Sequence, residues 1–120
     1  MSPRVDYHAR MKFAMLTVTY SGLFYDGPAL TVVEQIRKAR QLGFDGLSIE
    51  TKRPVASPLD LTAADRKEIR SVAASEGIAL CALESLSNFA SPLMEERENN
   101  LAMMCVRRMC GAQARTASRM

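Results

Sequence analysis

Apolar positions along this 120-residue chain alternate between short solid runs and stretches where they recur every three or four residues. The solid runs are Lys12-Phe13-Ala14-Met15-Leu16-Thr17-Val18, Phe44 to Ile49, and Ile78-Ala79-Leu80-Cys81-Ala82-Leu83-Glu84. The nearly continuous apolar character of the first suits a strand covered on both faces, as in parallel sheets; Phe44, Leu47 and Ile49 predict a brief buried strand, and residues 78–84 a third. The spaced stretches predict amphipathic helices between them.

Each helix carries its own start and stop signals. Thr31-Val32-Val33-Glu34 reads as a capping box, after which Val32, Ile36, Ala39 and Leu42 form one apolar face and Gly43 ends the helix. Thr62 with Asp65 opens a second helix that buries Ile69, Val72 and Ala73 and stops at Gly77. Ser91 caps a third, with Pro92 in its first turn and Glu95 and Glu96 at its positive end. Leu101, Met104 and Cys105 continue that helix's apolar stripe, on which Arg108 then falls. The loops between are Thr19 to Pro28, Thr51 to Leu61 (with Pro54 and Pro58) and Ser85 to Ala90.

Gly43, Gly77 and Gly111 are spaced 34 residues apart, the length of one strand–loop–helix–loop unit. The chain therefore reads as about three βα units. A fourth strand is due at Ala112, but residues 113–120 contain no Val, Ile, Leu or aromatic residue and make a poor buried strand. The expected organisation is a disordered extension at 1–10, a βα domain at 11–111 and an irregular basic tail at 112–120. The composition change near Cys105 fits a truncated or frame-shifted copy.

Composition narrows the class. Apolar content of 48% and charged content of 24% are ordinary for a soluble domain and exclude disordered and collagen-like classes. No apolar run approaches the ~20 residues of a membrane span, and no signal-peptide pattern is present, so a cytoplasmic location is expected. The three cysteines form no zinc pattern, and Cys81, inside a strand, is expected to be a buried small residue. His8, the single histidine, is read as solvated. The formal charge of +3 is misleading as a guide to partners. Residues 1–100 carry a net −1, and residues 101–120 hold Arg107, Arg108, Arg115 and Arg119 with no acid. Four arginines with no interleaved aromatic give weak grounds for a nucleic-acid partner.

Residues 11–111 resemble the N-terminal part of the xylose-isomerase-like TIM-barrel superfamily of sugar isomerases and epimerases. The resemblance rests on Met11-Lys12-Phe13, on the run from Ala39 through Gly43-Phe44-Asp45-Gly46-Leu47-Ser48-Ile49-Glu50, on Ser87-Asn88-Phe89, and on Ser91-Pro92 with Glu95-Glu96-Arg97. It implies a partial (β/α)8 barrel of three parallel βα units. A whole barrel has eight units and roughly 250 residues. The resemblance further implies a sugar or sugar-phosphate substrate and a divalent metal (Mn, Mg, Co or Zn) in the complete fold. The family's metal ligands, two glutamates, an aspartate and a histidine, lie mainly on later strands, so no metal ligand is assigned in this chain.

In such folds sites form at the carboxyl ends of the strands. The candidate catalytic residues are Glu50 and Glu84, and the candidate substrate-binding residues are Tyr20, Glu50 and Asn88. Glu50 reads equally as a salt-bridge partner of Lys52 or Arg53, and Asn88 as a turn former. Isomerisation needs a base and a cation beside the carbonyl. These residues supply at most the base, so the chain by itself is expected to be inactive. Two other readings stand beside this one. A flavodoxin-like binding module would need about five strands at ~25-residue spacing. An interaction module would associate with itself or a longer paralogue through open sheet edges.

Overall fold

The structure is a computed structural model that describes residues 11–104. The readings placed on residues 1–10, His8, Cys105, Arg108, Cys110 and 112–120 lie outside the described residues. The element order is β1 (Ala14–Leu16), a 3-10 turn (Thr17–Tyr20), α1 (Val32–Gln41), β2 (Gly46–Glu50), α2 (Ala63–Glu76) and β3 (Ala79–Glu84). A third helix, α3, runs over residues 94–104. The strands form one open, fully parallel sheet in the order β1-β2-β3.

Both predicted capping boxes are present, at Thr31/Glu34 and Thr62/Asp65. In each, the threonine oxygen accepts from the third helical amide and the acid accepts from the threonine amide, so two otherwise unpaired donors are satisfied. Gly43 ends α1 in the left-handed region, at φ 82°. There Phe44 N–H reaches Ala39 O at 2.9 Å and Gly43 N–H reaches Arg40 O at 3.1 Å, a paired closure that satisfies two carbonyls of the last turn. Gly77 does the same for α2, with Ile78 N–H on Ala73 O at 3.0 Å.

The core lies on one side of the sheet. Met15, Leu47 and Ile49 point toward the helices and pack with Val32, Ile36 and Ala39 of α1 and Ile69 and Ala73 of α2. The two helices share this core, so both lie on the same face. Burial of each of the larger side chains among them (Met15, Val32, Ile36, Leu47, Ile49 and Ile69) contributes roughly 1.5–3 kcal/mol. The loop between β2 and α2 adds Ala56, and Arg53 closes it through a two-pronged pair with Asp60 at 2.8 Å on each arm.

Several expectations are corrected. β1 is three residues long rather than spanning Lys12–Val18, because at Thr17 the chain leaves the ladder for a 3-10 turn. Thr17 Oγ1 there accepts the Glu50 N–H at 2.9 Å. The strands are covered on one face, not two. Every residue of β3 is exposed, including Cys81, and Leu83 retains 51% of its surface. The physical reason is position: β3 is an edge, and α3 leaves Leu80 and Leu83 uncovered. Leu42 is exposed at the end of α1. Helix α3 starts at residue 94, leaving Pro92 ahead of it, and Leu101 and Met104 are exposed.

Candidate functional site

Strand register decides which side chains share the open face. Leu16 pairs with Ser48 and Ser48 with Ala82; Glu50 pairs with Glu84. Side chains alternate across a strand and match across a parallel ladder, so Ser48, Glu50, Ala82 and Glu84 stand on the face opposite the helices. The two glutamates are in register at the carboxyl ends of adjacent strands, roughly 5 Å apart at the backbone. A bulge in β3 keeps them so: Leu47 pairs with Leu80 and Ser48 with Ala82, leaving Cys81 as the extra residue.

The two carboxylates are held differently. Glu50 Oε1 accepts from Lys52 Nζ at 3.1 Å, and its side chain is only 12% exposed. Glu84 Oε1 accepts from Ser48 Oγ at 2.5 Å. Its other oxygen makes no hydrogen bond among the described residues. The Glu84 carbonyl takes both the amide (2.9 Å) and the hydroxyl (2.8 Å) of Thr51, which locks the end of β3 to the start of the following loop. The result is a shelf of one neutralised and one available carboxylate at the sheet's carboxyl edge. Such a shelf can accept hydrogen bonds from vicinal hydroxyls.

Tyr20 and Asn88 are occupied elsewhere. Tyr20 packs edge-on against Tyr25 at 5.1 Å, lies beneath Lys38 Nζ at 5.8 Å and leans on the core. Its contacts are therefore on the helix side of the sheet. Asn88 serves as a turn residue: its Oδ1 accepts from Ala90 N at 3.2 Å and its carbonyl from Asn100 Nδ2 at 2.9 Å. The structure thus brings Glu50 and Glu84 together and leaves Tyr20 and Asn88 in local packing.

Ser48, Thr17 and Thr51 were not singled out from the sequence. Ser48 was legible in principle, as the polar residue alternating with Leu47 and Ile49 on the same face as Glu50. Thr17 and Thr51 act through contacts between segments more than thirty residues apart, which no local pattern encodes. Of the two partners considered for Glu50, Lys52 takes that role, and Arg53 goes to Asp60.

Among the described residues no group of three or more His, Cys, Asp or Glu side chains gathers to hold a metal ion. The resemblance puts that ion's ligands mainly on later strands, and Glu50 here is paired with Lys52. No helix among the described residues is long and apolar enough to cross a membrane. Comparison with protein families, with characterised proteins and with solved structures finds no match.

Proposed function

We propose that residues 11–104 are three consecutive βα units of a (β/α)8 barrel of the xylose-isomerase-like kind. On this reading the carboxylate shelf of Glu50 and Glu84 contributes to a sugar-binding mouth. One observation carries it: the strands lie side by side in chain order, with α1 and α2 on the same face. A singly wound sheet of that kind is the repeating element of a barrel; one βαβαβ half of a doubly wound sheet shares it, and the two part only where a further strand either continues the order or reverses it. The face away from the helices carries Ala14, Leu16, Gly46, Ser48 and Ala82 at its register positions, a mix of small and larger side chains of the sort that fills a small barrel's interior in layers.

Glu84, with one oxygen fixed by Ser48 and the other available, is the better placed of the two to accept a substrate hydroxyl. Glu50 gives a neutralised neighbour that holds the local charge down. These three units supply no complete catalytic set, and turnover of a ketose by this chain alone is not expected. The test is ligand-observed NMR of the full chain with D-fructose. Saturation transfer that weakens in Glu84→Gln supports the reading; no transfer in the wild type, or transfer unchanged in Glu84→Gln, overturns it.

A second reading, an α/β module that associates with itself or a longer paralogue, is favoured by the bare β3 edge. Leu80, Leu83, Leu86 and Phe89 are all exposed there. Light scattering across a concentration series separates the two. A chain that stays monomeric throughout removes the self-association form of this second reading.

A further inference from the structure

A cleft of about 400 Å³ opens on the outer layer, between the first turns of α1 and α2. Its floor is apolar, with Val55, Leu61 and Ile69. Its rim carries Glu34, Asp65 and Glu68, with Arg37 lining the cleft and Arg66 beside Asp65, its guanidinium donating to Leu61 O at 2.8 Å. Glu34 and Asp65 are held in their ionised forms by the capping hydrogen bonds of Thr31 and Thr62. Glu68 has no partner among the described residues. The rim is therefore net negative over an apolar base.

The complement of that surface lies in the same chain. All of the basic excess falls within residues 101–120, where Arg107, Arg108, Arg115 and Arg119 are unaccompanied by any acid and are interspersed with Val106 and Met109. We propose that this cleft is the seat of the chain's own basic segment, residues 105–120, arginines on the acidic rim and an apolar residue on the floor. Sixteen residues extend up to ~50 Å, and they follow Met104, which accepts from Ser85 Oγ at 3.6 Å just past the carboxyl end of β3, the end of the sheet from which α1 and α2 start. Tethering raises the segment's effective concentration, so individually weak, screened contacts add to a measurable occupancy.

Methyl-labelled NMR of the full chain tests this. The comparison is with a variant combining Arg107→Gln, Arg108→Gln, Arg115→Gln and Arg119→Gln. The expected result is a shift of the Val55, Leu61 and Ile69 methyl signals, with molar salt moving the wild-type signals the same way. In the reciprocal experiment, Glu68→Gln leaves the tail intact and shifts the side-chain N–H signals of the tail arginines. Identical methyl positions in wild type and variant overturn the proposal. Methyl shifts that grow with protein concentration assign the cleft to a second copy's segment and overturn it equally.

Discussion

The sulfur of Cys81 stands where a β-carbon on Gly46 would have to be, and the carbonyl oxygen of Ala79 lies 2.9 Å from that same point. Gly46 opens the central strand, and Cys81 is the bulged residue of its neighbour. Glycine is therefore demanded here by a close approach between strands and not by a turn, since its φ is ordinary and only Gly22, Gly43 and Gly77 have positive φ among the described glycines. Gly46→Ala is expected to destabilise the domain by about 1–3 kcal/mol, in the range of an overpacked core. Cys81→Ala in the same chain restores part of that loss by removing the sulfur, while the Ala79 carbonyl remains. Urea unfolding of the single and double variants measures both.

The exposure of Cys81 gives a chemical test of the β3 edge. In a chain carrying Cys105→Ser and Cys110→Ser, the remaining thiol is expected to react with a disulfide reagent in native buffer as fully as in denaturant. A thiol that reacts only after unfolding places a cover over β3 that the described residues do not provide.

The two capping boxes make a matched pair for mutation. Thr31→Ala and Thr62→Ala each remove a side-chain acceptor from a helix start and are each expected to cost about 1 kcal/mol. The sites are on different helices with no shared partner, so their effects add in the double variant to within about 0.5 kcal/mol. Denaturant midpoints of the three variants check this.

The same boxes set an acid limit. The Thr31 amide, and then its hydroxyl, hold the Glu34 carboxyl below its usual range; the Thr62 hydroxyl, and then its amide, do so for Asp65. A carboxyl whose folded value is depressed contributes stability above its unfolded value and loses it as pH falls through the folded one. Arg53 acts on Asp60 in the same direction. The urea midpoint is thus expected to be level above about pH 5 and to fall below about pH 4. Glu34 and Asp60 are exposed and Asp65 is half-buried at the surface, so solvent screening keeps each effect small. The acid slope is expected to diminish in Thr62→Ala, where the Asp65 hydroxyl partner is gone.

Edge chemistry bears on association. Replacing Leu83 with Lys puts a charge on the bare face of β3, a device that natural edges use against pairing. Any association through that edge is expected to weaken, with little loss of monomer stability because Leu83 is already half exposed. Sedimentation velocity of the wild type and Leu83→Lys measures it.

Local signals carried the helices. Thr31 with Glu34, Thr62 with Asp65, and the glycines at 43 and 77 fixed where α1 and α2 start and stop, because caps and left-handed stops are contacts within a few residues of one another. The same reading put Val32, Ile36, Ala39, Ile69 and Ala73 in the core. It overestimated β1, where Thr17 turns away to serve Glu50, and it buried β3, whose apolar residues look identical whether or not another layer covers them.

What the chain's own pattern settled is a set of alternating parallel-sheet units with Glu50 and Glu84 at strand ends, since periodicity and capping act over a single turn or strand. Only the tertiary structure decided that the two glutamates stand in register, that Ser48 and Lys52 treat them differently, and that Tyr20 belongs to the helix side. Those outcomes depend on pairing register and on a one-residue bulge at Cys81, which arise between strands more than thirty residues apart and leave no trace in either strand read alone.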